Sequence, residues 1–221
     1  MERIPEPELM DDAEQAAAYA GADFELAHSR FIDLFRETFP NEPINGEVLD
    51  LGCGPADITV RFARAYPQCT LYGMDGAEAM LEHGHRRVNR EGLGERISLI
   101  RGYLPGAPLP AAAYAAVISN SLLHHLRDPA VLWETVKHCA RPGAPLYVMD
   151  LLRPADRGEA ESRGEEYAGD ESPVLRHDFF NSLLAAYRLE EVADQLRAAG
   201  LSHLKIEAVS DIHLLVSGRM S

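Results

Sequence analysis

The stretch that most constrains this chain is residues 48–57, VLDLGCGPAD. Val48, Leu49 and Leu51 make the short apolar run of a strand buried within a parallel sheet. Gly52 and Gly54 then turn the chain so tightly that its backbone can approach a ligand, and a helix following Pro55 presents free N–H groups to the same point. A glycine turn alone does not name the ligand. A dinucleotide fingerprint wants a third glycine at its sixth position, where this chain has Asp57. An aspartate there, with Asp50 just before the turn, opposes a pyrophosphate and suits a ligand carrying a positive amine.

The remaining pattern predicts where that turn sits. Residues 11–39 carry Phe24, Phe31, Ile32, Leu34 and Phe35 at roughly helical spacing and read as one helix. After the strand at 48–51 come a helix beginning past Pro55, a strand at 69–74 and a helix at 77–90 that Gly92 and Gly94 close. A strand at 97–100, a Pro/Gly/Ala loop at 102–113, a strand at 114–119, a helix at 129–140 and a strand at 145–150 follow. This alternation is that of a doubly wound α/β sheet. Residues 151–187 then interrupt it. They are too long for an ordinary connection, and their apolar second half suggests helices closing over a pocket as a lid. A helix at 189–199 and strands at 204–209 and 212–216 end the chain. Only a short turn at Ser210-Asp211 joins those strands, so they are antiparallel.

Composition narrows the partners. The 221 residues suffice for one α/β domain with an insertion. A net charge of −14 repels phosphate backbones, which argues against nucleic acid and leaves a small molecule or a protein. Arg86, Arg87 and Arg90 read as a solvated helix face. No apolar run approaches the ~18 residues of a membrane span. The opening MERIPEPELMDD lacks the pattern of a secretory signal. Cys53, Cys69 and Cys139 are odd in number and far apart, as expected of reduced thiols in the cytoplasm.

A second chemical feature is Asp75, 21 positions beyond Gly54. An acidic residue ~20 positions past such a turn accepts hydrogen bonds from ribose hydroxyls. The alternative role is a cap on the helix that follows.

Four segments in order, VLDLGCGPAD, LYGMDGAEAML, YAAVISNSLLHHL and CARPGAPLYVMD, resemble the successive motifs of class I S-adenosylmethionine-dependent methyltransferases over about residues 46–150. The tail 188–218 resembles the end of that fold. The resemblance implies a doubly wound, seven-stranded, mostly parallel sheet with an antiparallel last strand, in agreement with the strands read above. It divides one domain into a helical cap (1–45), a cofactor-binding core (46–150), a lid insert (151–187) and a C-terminal helix with hairpin (188–221). It further implies that Asp50, Gly52, Cys53 and Gly54 hold the methionine end of S-adenosylmethionine, whose product is S-adenosylhomocysteine. Asp75 would hold the ribose, with Gly76 and Met80 flanking the adenine. Asn120, Ser121 and His124 would line the floor where the methyl group faces its acceptor, and Tyr19 would reach the cofactor carboxylate.

Two positions depart from the family pattern. Where the family often has Gly-Asp after the third strand, this chain has Gly102-Tyr103-Leu104, so Tyr103 is expected against the adenine in place of a carboxylate. A common aspartate opening the fourth strand is Ala115.

Methyl transfer is an in-line displacement in which the protein mainly orients the nucleophile and excludes water. A hydroxyl or acidic carbon acceptor also needs a general base. Candidates are His124, His125, Tyr167, His177 and Asp178, with His124, His177 and Tyr167 foremost; for His124-His125 the competing role is structural, one histidine packing and bonding a backbone carbonyl. Arg153, Arg157, Arg163 and Arg176 on the insert would receive an anionic substrate, or else pair with the neighbouring glutamates. The pair Phe179-Phe180 is equally suited to a core or a dimer contact. The histidines show no ligand spacing with cysteine or carboxylate, so no metal is expected. The Asn-Pro-Pro-Tyr motif of many amine methyltransferases is absent, which favours oxygen or carbon over nitrogen. The function expected is methyl transfer to a small molecule. The alternatives are other S-adenosylmethionine chemistry on the same fold, a cofactor-binding protein without turnover and, more remotely, a nicotinamide dehydrogenase.

Overall fold

In the computed structural model, which describes residues 1–7 and 9–221, the run before the glycine turn is strand β1 (Gly46–Leu51), buried between two parallel neighbours. The other strands are β2 (Cys69–Asp75), β3 (Ile97–Arg101), β4 (Ala116–Asn120), β5 (Pro145–Leu151), β6 (Lys205–Ala208) and β7 (His213–Arg219). They form one sheet in the order β3-β2-β1-β4-β5-β7-β6. The pairs within β1–β5 are parallel, and β7 runs antiparallel to both β5 and β6. The expected doubly wound, seven-stranded sheet with a reversed last strand is therefore present.

Side chains alternate between the two faces of β1, as a strand's two-residue period requires. Leu49 and Leu51 join one core with Trp133, Leu132, Val192 and Leu196. Val48 joins the other with Phe31, Phe35, Phe62 and Tyr147. The helices covering these faces are α2 (Glu25–Thr38) and α3 (Asp57–Ala65) on one side, α5 (Ala130–Cys139) and α8 (Leu189–Ala198) on the other. The chain winds outward through β2, α4 (Glu78–Arg90) and β3, then returns to β4 on the far side of β1. That reversal falls between β1 and β4, and sheets of this kind bind ligands beyond the carboxyl ends of the strands at such a point.

Two expectations change. The single helix over 11–39 is two helices, α1 (Ala13–Gly21) and α2, because Ala22 is extended (φ −71°, ψ 153°) and the Asp23 carboxylate accepts the Glu25 N–H. Helical periodicity persisted across the break because both helices use aromatic residues as anchors. The strand expected at 114–119 starts at Ala116, with Tyr114 making only an isolated bridge to Ala140.

The insert folds as α6 (Arg157–Ala168) and α7 (Pro173–Ala185). Phe179 packs with Leu151, Leu183, Ala186 and Ile212, the core alternative for that residue. A short 3₁₀ turn, Leu123–His125, follows β4. Among the described residues no helix is long and apolar enough to cross a membrane.

The N-terminal residues form a strap across the sheet edge. The Ile4 N–H bonds the Leu184 carbonyl, and Arg3 donates to the carbonyls of Ala185, His124 and Leu126 while lying over the Tyr187 ring. Pro5 and Pro7 keep this segment out of a helix.

Candidate active site

The site begins at the glycine turn. Gly52 (φ +72°) and Gly54 (φ +51°) occupy the left-handed region, where a side chain is strained. The N–H groups of Gly52 and Cys53 both bond the Met74 carbonyl, which ties the turn to β2. A Cβ on Gly52 would meet Leu122 at 2.9 Å, whereas one on Gly54 would meet none of the described residues within 4 Å. One glycine is needed for packing and the other faces open space. Cys53 is buried beneath the turn, and burial pushes its thiol well above the ordinary value.

Two carboxylates lie against this turn. Asp50 is buried and accepts a 2.6 Å hydrogen bond from Thr59. Burial pushes its pKa up to about 7; the Thr59 hydroxyl opposes the shift and Asp75 adds to it. Asp75 accepts from the N–H of Gly54 at 2.8 Å and of Ala77 at 2.8 Å. The alternative of a helix-start aspartate is thus realised in part, but the same carboxylate also closes the glycine turn. Asp57, read from sequence as a charge against phosphate, points elsewhere: it bonds His28, Arg61 and Arg87.

Around β2 and β3 the assigned residues separate. A Cβ on Gly76 would meet Leu9 at 2.7 Å and Tyr103 at 3.0 Å, so these two side chains flank it. The Tyr103 hydroxyl accepts from Arg101. Leu104 packs on the core, and the Gly102 N–H bonds the Asp75 carbonyl. Met80 is buried with Ala16 and Ala77, with Tyr19 packed beside them. Tyr19 also packs on Phe24. Burial, with Asp57 and Asp75 adding to it, pushes the Tyr19 pKa up to about 12.

At the end of β4, Ser121 takes a left-handed conformation (φ +57°) and its N–H bonds the Met149 carbonyl. Asn120 Nδ2 donates to Ser121 Oγ, while Asn120 Oδ1 is buried with no hydrogen-bond partner among the described residues.

The 3₁₀ turn then delivers His124 to a buried position, where its Nδ1 lies 2.6 Å from Asp150 Oδ1. Asp150 is held by the N–H groups of Leu123 and Leu151. Burial alone would lower the His124 pKa, but the charge and hydrogen bond of Asp150 outweigh it and hold it above the usual imidazole value. Asp150 is correspondingly below the usual carboxylate range: burial opposes this and His124 prevails. The other His124 nitrogen, Nε2, faces Glu6 of the strap at 3.4 Å. His125 Nδ1 lies 3.3 Å from the same Glu6 oxygen and 3.4 Å from the Pro7 carbonyl. Burial, with the like charge of His124, pushes His125 down to about 3. Burial also raises the Glu6 carboxyl, with His124 opposing. Ser182 of α7 donates to Glu6.

The other candidate bases are placed differently. Tyr167 is exposed and donates to Asp211, and His177 is exposed and pairs with Asn181 on its own helix. Asp178 keeps one oxygen buried and without a partner among the described residues. The four insert arginines are all paired: Arg153 with Glu191, Arg157 with Glu161, Arg163 with Asp211 and Arg176 with Glu165. Pairing with nearby glutamates thus holds for Arg157 and Arg176, while Arg163 pairs first with an aspartate and Arg153 is buried against a glutamate outside the insert.

Sequence reasoning missed Glu6. Its only signal was a glutamate between two prolines, which marks an extended segment but not where that segment lies.

Residues 48–143 match the family model described as a methyltransferase domain. Over 73 residues the chain is 41% identical to the release factor glutamine methyltransferase of Gloeobacter violaceus, covering 33% of this chain and 25% of that protein. Over 194 residues it is 27% identical to the 27-O-demethylrifamycin SV methyltransferase of Amycolatopsis mediterranei, covering 86% of this chain and 65% of that protein. The chain thus spans between a quarter and about two thirds of the length of these relatives. Its fold superimposes on a SAM-dependent methyltransferase from Aquifex aeolicus with a TM-score of 0.71 at 19% identity, covering 95% of this chain and 99% of that one.

Proposed function

We propose that this chain is a class I S-adenosylmethionine-dependent methyltransferase that methylates a small molecule at a hydroxyl oxygen, with His124 as the base. One observation carries the choice of acceptor atom: a buried imidazole at the sheet edge, with Nδ1 tied to Asp150 at 2.6 Å and Nε2 turned toward the strap.

The residues present fit the cofactor. Among the described residues Gly54 opens onto free space and Asn120 Oδ1 is a buried acceptor without a donor, and Asp50 and Asp75 repel each other beside the turn. A ligand bringing a cationic ammonium would relieve that repulsion. Asp75 would accept from the ribose hydroxyls through lone pairs left beyond its two backbone bonds. Asp50, Gly52, Cys53, Gly54 and Tyr19 would surround the methionine end, and Leu9, Gly76 and Tyr103 the adenine. Met80 would support that wall from below. When bound, S-adenosylmethionine supplies the electrophilic methyl group.

The chain's own residues do the rest. Asp150 holds the proton on His124 Nδ1, which leaves a lone pair on Nε2. Nε2 accepts the proton of the acceptor hydroxyl as its oxygen attacks. Asp150 then stabilises the imidazolium that results. The strap and α7 cover this edge and exclude water from it.

Three buried free cysteines agree with a reducing, cytoplasmic setting, and the net charge of −14 opposes nucleic acid as acceptor. The test is a panel of small hydroxyl, amine and acidic-carbon compounds incubated with S-adenosylmethionine and read by mass. A one-methyl gain confined to hydroxyl compounds is expected. Methyl gain on amines alone would contradict the assignment.

A further inference from the structure

We propose that Glu6, His124 and His125 form a binding site for a divalent transition metal of the zinc type, which latches the N-terminal strap onto the sheet edge. This does not rest on methyl transfer; it rests on geometry.

The ligand atoms of the three residues all lie within 4.8 Å of one another. Glu6 Oε1 is 3.4 Å from His124 Nε2 and 3.3 Å from His125 Nδ1. A charge-assisted hydrogen bond between such groups is shorter, about 2.7–2.9 Å. In a tetrahedral zinc site the metal–nitrogen and metal–oxygen distances are about 2.0–2.2 Å, which puts neighbouring ligand atoms about 3.3–3.5 Å apart. These two gaps are too long for strong hydrogen bonds and match two edges of that tetrahedron, while the third, between the histidines, is under 4.8 Å.

Proton placement points the same way. His124 Nδ1 faces a carboxylate and so carries the proton, leaving the Nε2 lone pair turned toward another carboxylate. A metal ion between Nε2 and the Glu6 carboxylate would take the place that a proton otherwise fills across this 3.4 Å gap.

The supporting groups are those a metal site requires. Ligating histidines commonly donate their second ring N–H to a carboxylate, which fixes tautomer and orientation. Asp150 does this for His124 at 2.6 Å and is itself held by two backbone N–H groups. Ser182 holds Glu6 at 3.1 Å. A cleft lined by Pro5, Glu6, Pro7 and Arg127 gives an entry path. Three protein ligands leave a fourth position for water. The metal takes the nitrogen assigned as base, so the loaded state is latched and inactive.

The test uses the full chain, stripped with a chelator and then titrated with ZnCl₂ by calorimetry and with CoCl₂ by visible absorption. One equivalent is expected, with the intense d–d bands of four-coordinate cobalt. Glu6→Ala and His125→Ala should each weaken binding by more than ~10-fold, and Asp150→Asn by ~10–100-fold. His203→Ala, a change at an exposed histidine bonded to the Arg219 carbonyl, should leave binding unchanged. Glu6 lies on a surface strap, so unchanged circular dichroism keeps its variant interpretable. No binding to the wild type, or binding that Glu6→Ala leaves intact, overturns the proposal. So does loss of binding in His203→Ala.

Discussion

His124 Nδ1 and Asp150 Oδ1 lie 2.6 Å apart in the interior at the carboxyl edge of the sheet, and neighbouring backbone amides fix the carboxylate in place. In the proposed function this pair would supply an oriented base, and the Asp150 carboxylate holds the imidazole pKa above its ordinary value against the opposing effect of burial.

Asp150→Asn should lower kcat/KM by ~10²–10⁴ through the loss of the oriented base. Activity of the wild type should fall with unit slope as pH drops through the raised His124 pKa, because protonated Nε2 cannot accept. In Asp150→Asn that acid limb should move to lower pH, since the carboxylate that raises the pKa is gone. Tyr167→Phe, with its partner on the β6–β7 turn, should stay within about two-fold of wild type. A pH–rate series on the three proteins distinguishes these outcomes.

The same pair links stability to pH at both ends. His124 is raised on folding, so its contribution is complete below ~6.5 and lost as pH rises through the higher folded value. Asp150 is lowered, so its contribution is complete above ~3.9 and lost as pH falls through the folded value. Urea midpoints across pH 2–9 should therefore show a smaller pH dependence in Asp150→Asn than in wild type.

Asp57 ties three helices together: it lies 2.5 Å from His28 of α2, 2.8 Å from Arg61 of its own helix and 2.6 Å from Arg87 of α4. Burial opposes its ionisation, but these partners hold its carboxyl well below the usual range. Asp57→Asn leaves two part-buried guanidinium groups underpaired and should cost about 3 kcal/mol at pH 7. The cost should shrink as pH falls below ~3.9, where the wild type begins to lose the same interaction. Chemical denaturation at two pH values reads it.

The two glycines of the turn should fail differently. Gly52→Ala drives a methyl into Leu122 in a left-handed backbone and should lose both stability and cofactor affinity. Gly54→Ala should cost only about 1–2 kcal/mol of stability from its conformation. Its methyl enters the space the cofactor would fill, so affinity should fall by at least ~10-fold. Thermal melts paired with calorimetry separate the effects.

Much of this was legible in the sequence where a local rule acts alone. VLDLGCGPAD gave a buried strand and a glycine turn because apolar runs and left-handed glycines have few other uses. Asp75 was placed at the turn by its spacing. What the sequence hid was contact at a distance. Nothing local tells that Glu6 crosses the sheet edge to His124, or that Asp57 is taken up by Arg87. Tyr167 and His177 carried the right chemistry, but the exposed positions they occupy on α6 and α7 were set by helix packing, which residue type does not encode. The break between α1 and α2 was hidden because aromatic spacing continued through it.

The most direct measurement of the central claim is calorimetric titration of the chain with S-adenosylhomocysteine, repeated on Asp75→Ala. Tight one-to-one binding, weakened at least ~10-fold by the substitution, is the expected result. No binding by the wild type, or binding of a nicotinamide dinucleotide in its place, would contradict the account.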